Sequence, residues 1–118
     1  MSRMSKLSFL FASAIALSSL AAGAEVDKKT ERVWKSKCAS CHGLTGKGDT
    51  EMGKKMAISD YTAAEWQKGK TDADLKKAIL DGVKREKGGV KQEMDAYKEK
   101  GVDDAQATAL VELIRGLK

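Results

Sequence analysis

Both cysteines and the only histidine of the chain fall within one short run, Cys38-Ala39-Ser40-Cys41-His42. Two thiols three residues apart can each add to one vinyl group of a porphyrin, forming two thioethers. The residue after the second thiol is then held beneath the iron, where its imidazole becomes the proximal ligand. This C-x-x-C-H spacing is the attachment sequence for c-type haem. A thioredoxin-type dithiol would sit near a βαβ pattern, and the sequence shows none. A structural zinc site needs four ligands, and adjacent Cys41 and His42 converge poorly on one tetrahedral ion.

The histidine count constrains the other side of the iron. With His42 committed, no second histidine is available, so the sixth position falls to methionine, to lysine or another weaker group, or stays open. Three methionines lie beyond the N-terminal segment: Met52, Met56 and Met94. Met52 and Met56 follow closely on the attachment motif, in a stretch expected to line the proximal side. Met94 lies much further along, behind Gly88-Gly89, where the chain has had length to pass to the opposite face. Its setting, Lys91-Gln92-Glu93 before and Asp95 after, gives a methionine little reason to be buried unless something binds it. Met94 is therefore the expected sixth ligand, with Met56 in reserve.

The elements that must position these residues read as helices. Val26–Lys37 is polar, with Val33 and Trp34 on one side, and runs into Cys38. Thr62-Ala63-Ala64-Glu65 has the form of a capping box opening a short helix that carries Trp66. Thr71-Asp72-Ala73-Asp74 opens another, with acidic residues where the helix dipole favours them. Leu75, Ile79 and Leu80 follow in helical register, and Gly82 is the expected stop. Asp103 opens a last helix whose apolar face is Ala109, Leu110, Leu113, Ile114 and Leu117. Two glycine-marked loops, Gly43–Lys55 and Lys84–Glu93, complete the chain, and no strand alternation is expected. The fold class is all-α: four to five short helices with long loops that make sense wrapped around a ligand.

Ahead of this lies a different kind of segment. Arg3 and Lys6 precede the apolar run Leu7–Leu20, and Ala22-Gly23-Ala24 supplies small residues for cleavage, the order of a secretory signal peptide. Residues 1–24 are read as the signal and 25–118 as one domain, with a membrane role only if the signal stays uncleaved. A chain of this size buries only ~60–65% of its unfolded surface, so a buried haem would reinforce a thin core. Losing Arg3 and Lys6 takes the formal charge from +5 to +3. With lysines interleaved among acids, nucleic-acid binding is excluded.

The order of these pieces resembles class I cytochromes c over nearly all of the mature sequence. Val33-Trp34 leads into Cys38-Ala39-Ser40-Cys41-His42-Gly43, a Gly46-Lys47-Gly48-Asp49 loop follows, and Ala78-Ile79-Leu80-Asp81-Gly82-Val83 ends a helix. Met94-Asp95-Ala96-Tyr97-Lys98 corresponds to the stretch carrying the distal methionine, and Leu110-Val111-Glu112-Leu113-Ile114-Arg115 to the C-terminal helix. The resemblance implies that Trp34 and Leu113 meet where the terminal helices cross. It also implies that Tyr97 and Trp66 either contact the haem or a propionate or simply pack. Three departures carry expectations. Thr30 stands where the family usually has glycine, which predicts a wider crossing. The absence of proline predicts that some other carbonyl orients the proximal histidine. Asp95 in place of proline predicts a looser distal segment.

The expected function is one-electron transfer by a periplasmic, bacterial monohaem protein, not an enzyme. One covalent haem c and its iron are held by Cys38, Cys41, His42 and Met94. A methionine ligand places such a carrier toward the oxidising half of a respiratory chain. Its partners would be other redox proteins met by a monomer through a small, transient interface. Lys47, Lys54, Lys55, Lys87 and Lys91 are candidates to steer an acidic one. Two alternatives stand beside it: a haem enzyme or gas sensor with an open or labile sixth position, and the cytochrome subunit of a larger oxidoreductase.

Overall fold

A computed structural model describes residues 26–117. The expected signal peptide, residues 1–24, lies outside the described residues.

The first helical rod runs through the attachment motif instead of stopping before it. Helix α1 (Lys28–Val33) is capped by Asp27, whose carboxylate accepts from the Thr30 N–H at 2.7 Å. Hydrogen bonding from Thr30, first its side chain and then this N–H, holds the Asp27 carboxyl below its ordinary range. The rod continues as a π-helical turn (Trp34–Cys38) and a short α2 (Ala39–His42). In the π turn the Ala39 N–H reaches back to the Trp34 carbonyl, one residue further than in an α-helix. The inserted residue rotates Cys38–His42 relative to Trp34, a device often found where a helix must aim functional side chains.

The stretch expected to be a loop from Gly43 contains a second helix, α3 (Glu51–Lys55). The hydroxyl of its N-cap Thr50 accepts from the Gly53 N–H at 2.9 Å and donates to the Cys41 carbonyl at 2.7 Å. One side chain therefore both starts α3 and fastens it to α2. Helix α4 (Ala64–Gly69) begins later than expected, with Ala63 at its N-cap. The expected capping box is not formed, because Thr62 turns its hydroxyl and its N–H to the Asp60 carboxylate. A local Asp turn has outcompeted the cap. In α5 (Asp72–Asp81) the capping box is complete, between Thr71 and Asp74, and Gly82 ends the helix as expected.

After Gly82 the chain departs from the all-helical expectation. Strands β1 (Val83–Lys87) and β2 (Val90–Met94) pair antiparallel through Gly88-Gly89. Both glycines have positive φ, as the tight turn favoured in two-residue hairpins requires. The polar residues on both faces hid the alternation. A 3-10 turn (Tyr97–Lys100) leads to α6 (Asp104–Arg115), capped by Asp103. The sheet is minor, and the remainder is the expected set of short helices with long connections.

The core lies between the first rod, α5 and α6: Trp34, Ala39, Leu75, Val102, Ala107, Leu110, Val111 and Ile114. Of the expected apolar face of α6, Leu110 and Ile114 are buried, while Leu113 and Leu117 pack against the cluster from its rim. Ala107 and Val111 take the remaining buried places. Full burial of a side chain such as Leu110 contributes roughly 2 kcal/mol. Where α1 meets α6, Thr30 is 1% exposed and accepts a hydrogen bond from Gln106 Nε2 at 2.9 Å. The residue in glycine's place thus makes the crossing a polar contact. The far end of α6 is held by Arg115, which binds Asp72 and the carbonyls of Gln67 and Lys70.

Candidate functional site

These elements enclose a cavity of about 600 Å³, within the range of cofactor pockets. Its lining brings together residues far apart in the chain. The first rod supplies Trp34, Cys38, Cys41 and His42, and α5 and α6 supply Leu75, Ile79, Leu110 and Ile114. The hairpin supplies Val83, Arg85, Gln92 and Met94. All four sequence-predicted site residues line this one space. Met56 lines it too, whereas Met52 is not part of the lining and is exposed.

The attachment wall is tightly built. Gly53 of α3 lies so close to α2 that a Cβ there would stand 2.6 Å from the Cys41 carbonyl and nearer still to that of Gly48. Both obstacles are backbone, so only glycine allows this approach. Both thiols are free for attachment. Burial pushes the Cys38 thiol up to about 11. Such a thiol is a poor dithiol nucleophile, which speaks against thioredoxin-type chemistry. As a thioether it would be an ordinary apolar group.

The His42 ring is held by aromatic neighbours. Tyr61 stacks on it at 4.9 Å between centroids, and Trp34 lies tilted at 5.9 Å on another side. Trp66 backs Tyr61 at 4.0 Å. Tyr61 is itself fixed through its backbone, donating to the Gly46 carbonyl and accepting from Gln67 Nε2. Burial lowers the His42 pKa to about 4, so at neutral pH the imidazole is uncharged and has a lone pair for a metal. The expected carbonyl partner for the ring is not found. Among the described residues His42 Nδ1 is buried without a hydrogen-bond partner, as is Trp34 Nε1. Unpaired buried donors next to an apolar cavity fit a site shaped for a cofactor. A chain without proline has its ring oriented by stacking instead.

The opposite part of the lining comes from the hairpin. Val83 stands across from Met94, and Arg85 from Gln92. Side chains two apart on a strand share a face, so these four make one row toward the cavity. Gln92 is 7% exposed, donates to the carbonyls of Met56 and Ala57 at 2.9 and 3.0 Å, and accepts from Arg85 Nε at 2.8 Å. Tyr97, which also lines the cavity, spends its hydroxyl on the Lys37 carbonyl at 2.9 Å. Trp66 lines the cavity as well. Sequence reading missed Tyr61 and Gln92. The period-2 run Val90, Gln92, Met94 behind a Gly-Gly turn was a usable signal for Gln92. Nothing comparable marked Tyr61.

Comparison with known proteins agrees with this geometry. A cytochrome c family model matches residues 28–118. Among solved structures the fold is similar to the KustC0563 c-type cytochrome, with TM-score 0.63 and 26% identity, covering 75% of this chain and 96% of that one. It is equally similar to a Tyr-to-Phe mutant of that cytochrome, with TM-score 0.61, 26% identity, and coverage of 75% and 98%. No curated protein matches. With the attachment motif on the wall of an apolar cavity and a family match along nearly the whole domain, the chain belongs to the cytochrome c family, as an electron-transfer protein with covalently bound haem c and its iron, whose attachment motif Cys38 and Cys41 fit.

Proposed function

We propose that the protein is an exported, periplasmic one-electron carrier whose haem iron has His42 and Met94 as its two axial ligands. Iron–porphyrin chemistry supplies the reversible one-electron step, and methionine ligation raises its potential relative to two nitrogen ligands. The observation that carries the reading is the hairpin register, which puts Met94 in the cavity-facing row at the end of β2. Met56 is the other methionine of the lining, but it caps α3, the helix tied by Thr50 to the attachment rod. Its backbone thus belongs to the wall that already holds His42. If His42 and Met94 both held the iron, a substrate would have to displace one of them to reach it. Peroxidase-type catalysis would also need a distal acid–base group, and Arg85, the basic side chain that the hairpin contributes to the lining, is engaged by Gln92. These features favour a carrier over an enzyme or sensor. Export rests on the signal-like order of residues 1–24. Partners would be other redox proteins, bound briefly.

The test is the visible spectrum of the reduced haem-loaded protein before and after carbon monoxide. A low-spin spectrum that carbon monoxide leaves unchanged supports the carrier, and Met94→Ala should convert it to a carbon monoxide-binding form. Ready binding by the unaltered protein overturns His/Met ligation and favours a sensor or enzyme. Loss of low-spin character in Met56→Ala, with Met94→Ala unaffected, reassigns the ligand. N-terminal sequencing of the exported protein should begin at Glu25.

A further inference from the structure

Among the described residues Gln92 is one of two buried polar residues, and its three side-chain hydrogen bonds all leave its own strand. Two of them end on consecutive carbonyls, Met56 and Ala57, at the point where the chain leaves α3. Ala57 has φ +51°, and among the described residues it is the sole non-glycine with positive φ. This turn is strained, and the Gln92 amide is bonded to its carbonyl. Gln92 is also two residues before Met94, on the same strand face. Past Met94 the chain is held at the base of the ribbon by close backbone approach to Gly82, by the Tyr97 hydroxyl on the Lys37 carbonyl and by an exposed ion pair of Asp95 with Lys100, the last of which contributes little. Within the two strands, among the described residues, the buried side-chain tie to the rest of the molecule is the Gln92 amide.

We infer that Gln92 is a positioning residue for the distal ligand: by gripping the Met56 and Ala57 carbonyls it sets where β2 presents Met94, and so how readily that methionine leaves the iron. The inference rests on the proposed ligation by Met94. An exogenous ligand must wait for the methionine to leave, so its apparent affinity scales with the fraction of molecules in the Met-off state. Removing two buried donor bonds should raise that fraction by roughly tenfold.

The experiment is an imidazole titration of the ferric, haem-loaded protein, read in the visible spectrum, with urea unfolding measured alongside. Gln92→Leu should keep the spectrum of methionine ligation yet bind imidazole roughly tenfold more tightly. Gln106→Leu, which removes a buried-site hydrogen bond far from the hairpin, should lower stability and leave imidazole affinity at the wild-type value. The isosteric Gln92→Glu keeps an acceptor for Arg85 but has no N–H to donate, and it should behave as Gln92→Leu does; it carries the test if the leucine variant does not accumulate. Wild-type imidazole affinity in the Gln92 variants, or an equal shift in Gln106→Leu, overturns the inference. Met94→Ala separates the two levels: if it retains methionine ligation, the ligand assignment itself has failed.

Discussion

The two sides of the haem cavity are built by different means. On the attachment side, helices and backbone touch directly. Thr50 bonds to the Cys41 carbonyl, Gly53 leaves no room for a side chain, and Tyr61, backed by Trp66, lies on the His42 ring. On the other side a two-stranded ribbon is hung by side-chain bonds, chiefly from Gln92, with Tyr97 reaching the first rod. An isolated hairpin is only marginally stable in water, so this wall depends on its attachments. The contrast suits a site in which one ligand is fixed by covalent neighbours and the other must hold without any. In the proposed ligation the thioethers would form on the wall of direct helix contacts, and Met94 would come from the ribbon, whose base rests on Gly82.

The largest expected effects come from breaking the stiff side. His42→Ala removes the only histidine of the chain and with it the imidazole of the attachment motif. Almost no holo-protein should accumulate, measured as covalent haem by mass and by haem staining; normal yields of a low-spin product would contradict the assignment. Gly53→Ala is a subtler break of the same wall. Its methyl would press on two backbone carbonyls, so the cost should be about 2–3 kcal/mol of stability, read from urea unfolding of the holo-protein. A cost below about 0.5 kcal/mol would mean that α3 can move away freely, and the contrast between the walls would weaken.

How much of each wall was legible in the sequence follows the same division. Cys38, Cys41 and His42 could be read because thioether formation fixes their types and spacing. The terminal helices could be read because Leu110 and Ile114 repeat at helical period. The hairpin was missed because its cavity face carries Arg85 and Gln92 where a strand in a sheet would carry apolar residues. Met94 was singled out for its polar setting, although that setting is a strand end and not the expected loop. The capping box at Thr62 failed through local competition from Asp60, and only the structure decides between two such partners. The orienting role of Tyr61 depends on Gly46 and Gln67, distant in sequence, and no local pattern announces it.

A smaller effect tests the crossing that supports the stiff side. Thr30 is buried against α6, and its hydroxyl accepts from Gln106. Thr30→Val preserves the shape and removes the acceptor. The half-buried Gln106 amide can partly recover its bond with water, so the loss should be near 1 kcal/mol. Thr30→Gly, which restores the residue usual in the family, should cost more, since it opens a void and adds backbone freedom. If the glycine variant is instead the more stable, Thr30 is holding the terminal helices apart.

The smallest effect asks which side meets a partner. Lys47, Lys54 and Lys55 are exposed on the attachment side, and Lys87 and Lys91 on the ribbon. If these charges steer an acidic redox protein, the second-order rate of electron exchange should fall as salt rises. The Debye length shrinks from about 30 Å at 0.01 M to about 8 Å at 0.15 M, and a fall of roughly tenfold over that range is the expected size. Replacing Lys54 and Lys55 by glutamine, and separately Lys87 and Lys91, then locates the effect. A smaller salt slope in the first pair puts docking beside the stiff wall, where recognition would leave the ligand bond undisturbed. A smaller slope in the second pair puts it on the ribbon, where a bound partner would press on the element that carries Met94. A flat salt response in the unaltered protein removes electrostatic steering from both walls.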